Sequence, residues 1–291
     1  MVETRIVSSP QTFPISENLE VRVYPDTRPN NLEIKNIHKG LVLVYKGQEV
    51  VGEGAGLGVP VVKYRDKTYF PGNATVSISL SDADGAREIT KTFTLDTVST
   101  KRYRDGSPVN DRLYHVLDRL FTKFYLTCRP LRPLFIRMME MRGATGITTK
   151  FVNTEPRGRV RIVYNISPKT IDVSVNLSDI EREGCEEIVL LNEQSSRFFT
   201  VYSDSTGLRL TGRDIGPMDL VSGDHASLSN RSGSLSYRLT QVKGVSLYRG
   251  WERIGKRLEW AGLNYVLRPE ASSFTYTINV KTKKDTIVEI V

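Results

Sequence analysis

The sequence predicts a mainly β protein: a large antiparallel β-sandwich, or supersandwich, with a helical segment inserted near residues 108–142. Three observations carry this expectation. Short runs that alternate apolar and polar residues, or are rich in β-branched ones, recur up to about Val98 and again from Ile147 onward. Turn-forming residues separate these runs at intervals too short for helical crossovers, which favours antiparallel pairing. Between the two stretches the apolar period changes from two to that of a helix.

In chain order, the first block (residues 1–98) supplies the runs LEVRVY, LEIKNI, GLVLVY, TVSISL and EITKTFTL. Turns fall at Pro25 to Asn31, Lys46-Gly47, Arg65-Asp66-Lys67 and Asp82 to Gly85. The insert (residues 99–146) places Val109, Leu113, Val116, Leu117, Leu120, Phe121, Phe124, Tyr125 and Cys128 on one helical stripe. Ser107-Pro108 is its start signal, and Pro130 and Pro133 break it before a second short helix from Leu134 to Arg142. The second block (residues 147–291) supplies RVRIVYNI, TIDVSVNL, EIVLLNEQ, RFFTVYSD, LRLTG, SLSYRLTQV and FTYTINVKT. The two blocks form either one continuous domain or two β domains. The stretch from Val245 to Leu267 admits a helical stripe of Trp251, Ile254 and Leu258, but its alternation favours a hairpin with a turn at Ile254-Gly255-Lys256.

Gly52, Gly54, Gly56 and Gly58 stand at alternate positions. In an extended strand all four share one face, with Glu53, Ala55, Leu57 and Val59 on the other. A face without side chains invites close approach by a backbone, a ring or a flat ligand. A phosphate-cradling loop is disfavoured, because the extended Val59-Pro60-Val61-Val62 follows where such a loop needs a helix N-terminus.

Composition bounds the classes. Hydrophobic residues make up 39% and charged residues 25%, which is globular rather than disordered. The net charge is +8, and the stretch from Lys101 to Arg142 holds ten Lys or Arg against four Asp or Glu. That surplus concerns partners rather than fold. Cys128 and Cys185 describe neither a disulfide framework nor a metal cluster, and His38, His115 and His225 show no metal-ligand spacing. No metal and no cofactor is expected. No apolar run approaches the ~20 residues of a membrane-spanning helix, and MVETRIVSSPQTF lacks a signal peptide's apolar core. The expectation is a cytoplasmic protein with free thiols.

Two clusters are candidate binding sites. Tyr64, Arg65 and Asp66 lie in a charged, aromatic turn between Lys63 and Phe70, either a binding rim or a hairpin tip whose rings pack back onto the sheet. Tyr248, Trp251, Glu252 and Trp260 gather both tryptophans beside carboxylates and guanidinium groups, a combination suited to the apolar C–H faces and hydroxyl edges of a sugar. The same residues also suit core anchors. Acids able to pair across a cleft are numerous: Glu53, Asp66, Glu193, Asp204, Asp214, Asp219, Glu252 and Glu259. His225, in a turn-like stretch, is a further acid–base candidate. Arg112, Arg119 and Lys123 share a helix face able to meet phosphates or an acidic surface, or simply to face solvent.

EEIVLLNEQSSRFFTVYSD and the Trp251–Trp260 segment resemble the large β-sandwich of galactose-mutarotase-like proteins. The resemblance implies a sugar-related protein; it supplies no catalytic residue, because no histidine here matches that family's site. The function expected is carbohydrate binding or modification. The alternatives are a basic module for an anionic polymer and a structural oligomer subunit.

Overall fold

The alternating runs become strands wherever the chain is described. The computed structural model describes residues 2–25, 38–65, 67–81, 87–102, 148–254 and 258–283, with positions 131, 134 and 137. The expected strand at 32–37, the turn at 82–85, Asp66, the long helix with Arg112, His115, Arg119, Lys123 and Cys128, and Gly255-Lys256 lie outside the described residues. Leu134 and Arg137, within the second short helix, have helical backbone.

The first block folds as β1 (Val2–Ile6), β2 (Gln11–Ser16), β3 (Leu19–Val23), β4 (Val42–Tyr45), β5 (Gln48–Glu49), β6 (Gly56–Tyr64), β7 (Thr68–Ser81) and β8 (Arg87–Arg102). Beyond the insert come β9 (Thr148–Asn153), β10 (Arg159–Ser167), β11 (Thr170–Asn176), β12 (Cys185–Gln194), β13 (Val201–Asp204) and β14 (Arg209–Thr211). A 3-10 turn at Gly212–Ile215 leads to β15 (Asp219–Leu220), β16 (His225–Ser229), β17 (Leu235–Thr240), β18 (Ser246–Ile254), β19 (Leu258–Leu267) and β20 (Ser273–Thr282). Runs with strict alternation, such as β10, β11 and β20, bury every second residue, as period two requires.

Sixteen of these strands form one antiparallel sheet, ordered β14-β13-β16-β17-β20-β11-β10-β8-β7-β6-β12-β19-β18-β15, with β1 on β7 and β9 on β8. Strands from both blocks are hydrogen-bonded neighbours in it: β8 pairs with β10 and β6 with β12. A smaller sheet runs β2-β3-β4-β5. So long a sheet cannot stay open; twist curls it over on itself. Side chains from distant strands meet across the core. The hydroxyls of Tyr237 on β17 and Tyr276 on β20 donate to the backbone carbonyl and Oδ1 of Asn192 on β12, at 3.0 and 2.9 Å. Tyr164 on β10 reaches the carbonyls of Leu57 and Gly58 on β6, at 3.1 and 3.0 Å. These contacts make the architecture a sandwich.

Two local expectations are corrected. The four glycines do not line one flat strand. Gly52 is in a turn, Gly54 in a bend, and β6 starts only at Gly56. Gly52, Gly56 and Gly58 have positive φ (53°, 87° and 74°), which breaks the alternation. Close approach is nevertheless what they serve, each with its own neighbour. A Cβ at Gly54 would lie 2.9 Å from the Glu193 backbone, at Gly56 2.9 Å from the Leu41 carbonyl, and at Gly58 2.8 Å from the Tyr164 hydroxyl. The second correction is RFFTVYSD, of which only Val201–Asp204 is strand. The Ser195 carbonyl accepts the Phe198 and Phe199 N–H groups, and its hydroxyl accepts that of Arg197, so a serine-centred turn outcompetes the ladder. The hairpin expected around residue 256 is present as β18–β19, paired from Ser246↔Val266 to Ile254↔Leu258.

Gly54→Val and Gly56→Val should each lower stability by about 2–4 kcal/mol in thermal or urea unfolding, because no flexible side chain can yield. Gly47→Ala, at a turn whose Cβ position is open, should cost about 1 kcal/mol through its positive φ alone. Equal losses at the three positions would contradict the close-packing account.

Candidate functional site

Strand pairing decides which of the sequence's candidates meet. In an antiparallel ladder, residues directly opposite share a face, as do their neighbours two positions away. Glu193 is opposite Gly262, and Gly262 is opposite Gly250. Trp260 is opposite Glu252, and Asn264 opposite Tyr248. Glu193, Asn264, Trp260, Glu252 and Tyr248 therefore lie on one face of β12, β19 and β18, and all five are half-buried.

The two glycines shape this face. A Cβ at Gly250 would collide with the six-membered ring of Trp260, and one at Gly262 would fall 2.9 Å from Glu193 Cγ. Their missing side chains let the indole and the Glu193 stem lie flat on the sheet.

Polar contacts fix the carboxyl groups. The Trp260 indole N–H donates to Glu252 Oε2 at 3.0 Å. Glu193 Oε1 accepts from Asn264 Nδ2 at 3.3 Å, and its Oε2 from the Ala55 N–H at 3.4 Å. Asn264 Oδ1 in turn accepts the Asn192 N–H at 2.8 Å, so one amide links a strand backbone to the site. Burial raises the Glu193 carboxyl above its ordinary range against these hydrogen bonds and the attraction of Lys39. Burial also pushes Glu252 up to about 7; the Trp260 bond opposes this and the Glu193 charge adds to it. From strand spacing, the two Glu Cα atoms are on the order of 12 Å apart, with both side chains on the same side. Of the eight candidate acids, these two share a half-buried face on which Glu252 senses the charge of Glu193, and Glu252 can hold or release a proton near neutrality.

The remaining expected site residues are elsewhere. Trp251 alternates to the opposite face, is 8% exposed, and donates its indole N–H to the carbonyls of Ser196 and Phe199. It is a core anchor and offers no surface to a sugar. Tyr64 is also buried: it donates to the Glu181 carbonyl at 2.8 Å, packs edge-on against Tyr69, and is pushed by burial up to about 12. Arg65 is exposed in the turn beside it. That turn is not part of the Trp260 face, because Tyr64 pairs with Cys185 and Gly56 with Glu193, a separation of ~26 Å along β12. Glu259 points into the core, held by the Ser195 hydroxyl and by Arg197 at 2.6 Å. Arg249 lies over the Tyr202 ring and 3.5 Å from Asp219. His225 opens β16 opposite Thr240 rather than lying in a turn.

Asn264, Gly250 and Gly262 escaped the sequence reading. A signal was present: a glycine inside each of the strand-like runs YRGWE and WAGLN marks a position where something lies against the backbone. Among the described residues, no group of three His, Cys, Asp or Glu side chains is arranged to hold a metal ion, and no helix is long and apolar enough to cross a membrane.

No protein-family model and no curated protein matches the chain. Among solved structures it is similar to the Slr1438 protein from Synechocystis sp. PCC 6803, at 9% identity over 97% of this chain and 96% of that one, with a TM-score of 0.40. It is also similar to a galactose mutarotase-like protein from Lactobacillus casei ATCC 334, at 11% identity over 96% of this chain and 100% of that one, with a TM-score of 0.40. The second is of the kind the sequence resembles. The likeness is distant, and no residue role passes from either protein to this chain.

Glu252 gives the face a pH signature. Its folded-state value, about 7, exceeds its unfolded value, near 4.5. The stability this group contributes is therefore complete below the unfolded value and is lost as pH rises through the folded one. Thermal melts between these values should show the wild type losing stability relative to Glu252→Gln as pH increases. Parallel curves for the two proteins would show that Glu252 ionises normally.

Proposed function

We propose that this protein binds a carbohydrate, or modifies one, on the face formed by Trp260, Glu252, Tyr248, Asn264 and Glu193. The observation that carries the reading is the half-buried Trp260 ring on this face, tied through its N–H to the half-buried Glu252 carboxyl. An indole face suits the C–H side of a pyranose, while carboxyl and amide groups at its rim suit hydroxyls. The bond to Glu252 fixes the ring, so less ordering is needed when a ligand arrives. Modification, as opposed to binding, would fall to the carboxyl pair. Glu252 is the group able to give up a proton near pH 7, and Glu193 is its neighbour on the same face.

Titration with mono- and oligosaccharides, followed by tryptophan fluorescence and calorimetry, tests this. A saturable response is expected that changes little between about 50 and 200 mM salt, unlike a phosphate-driven contact. Calorimetry should find binding weakened at least about tenfold in Trp260→Phe, whose smaller ring lacks the N–H that orients Glu252. A flat wild-type response to every sugar, or undiminished binding by Trp260→Phe, would overturn the proposal.

A further inference from the structure

Beside the Trp260 face the chain carries two exposed apolar residues, Met218 at 42% just before β15 and Leu220 at 53% within it. Leu220 on β15 is directly opposite Tyr248, so it shares the face with Tyr248, Glu252 and Trp260. The chain just before β15 crosses the same place: the Pro217 carbonyl lies over Gly250, 2.5 Å from where a Cβ would be, beside the Trp260 ring. Met218 is the next residue. Asp219, between the two, is opposite Arg249 on the other face, where its carboxylate meets the guanidinium. The charge that separates Met218 from Leu220 in sequence is thus turned away from the apolar pair.

We propose that Met218 and Leu220 receive the apolar aglycone of a glycoside whose sugar lies on Trp260 and Glu252, an inference that rests on the saccharide reading above. The size of the patch favours such an occupant. Two partly exposed side chains offer on the order of 200 Å², against the ~800 Å² per partner of a stable protein–protein contact. An alkyl or aryl substituent matches that area, and its linkage to a sugar matches an apolar strip continuous with a face of ring, carboxyl and amide. The ligand class is an amphipathic glycoside, polar at the β12–β19 side and apolar at the β15 edge.

Matched pairs of methyl and octyl glycosides of glucose, galactose, mannose and N-acetylglucosamine, kept below micelle formation, provide the test by calorimetry. For whichever sugar binds, the octyl member should bind at least about tenfold more tightly than its methyl partner. The double variant Leu220→Ser, Met218→Ser, checked for an unchanged melting temperature, should reduce that ratio to about twofold or less. Equal affinity within each pair overturns this inference while leaving sugar binding in place. An octyl preference that persists in the double variant, or that an octyl chain on an ethylene-glycol head reproduces, also overturns it. Failure of every pair overturns the saccharide reading, and this inference with it.

Discussion

Inside the sandwich, buried phenol hydroxyls must find acceptors within the protein, and the folded-over sheet is organised around that requirement. Tyr164, Tyr237 and Tyr276 are all buried in the core, and a buried hydroxyl left without a partner costs about 1–3 kcal/mol. Their acceptors are concentrated where β6 and β12 slip out of register, between Leu191 and Asn192. There Gly58 is the extra residue. Its N–H donates to Asn192 Oδ1 at 3.0 Å, and the oxygens of Leu57, Gly58 and Asn192 receive the three phenols. In a regular ladder Gly58 would pair with a residue of β12. As the extra residue of the bulge it gives its N–H to Asn192 Oδ1 and its carbonyl to Tyr164, and the Leu57 carbonyl accepts the Leu41 N–H as well as Tyr164, so the irregular part of the sheet is the part that pins its two halves together.

The candidate site is continuous with that bulge. Asn192 faces the core, and its N–H passes to Asn264, which faces outward and holds Glu193. The N–H of Ala55 reaches the same carboxylate, and the bend at Gly54 lies against the Glu193 backbone. Core registry and the placement of Glu193 are thus set by the same few residues. Trp260 and Glu252 are positioned by the next hairpin, where Gly250 leaves room for the ring. Rigidity of this kind, on strands rather than loops, suits a face that must present a fixed ring and fixed acids.

Much of the fold could be read from the sequence because period two is written plainly in strands such as β10, β11 and β20. Less of the site could be, and the two tryptophans show why. Whether Trp251 and Trp260 share a face depends on the register of the β18–β19 hairpin. Pairing Trp251 with Ala261 and Glu252 with Trp260 sends the two indoles to opposite sides. A shift of one residue would reverse that outcome, and turn length cannot be read from composition alone. The choice of Glu193 and Glu252 among eight acids has the same origin, since it needs the register of three strands at once. The glycine run was informative in a different way: its spacing suggested one covered face, whereas positive φ values split it among a turn, a bend and a bulge.

The sheet's described path ends in stubs, three residues at β14 and two at β15. A strand from another chain laid along either flank would find only a few main-chain groups with which to pair, and alternate ones face inward to the existing neighbour. Growth by strand addition therefore has little template at these two ends. At these two described ends the strands are too short to serve as seeds for a fibre.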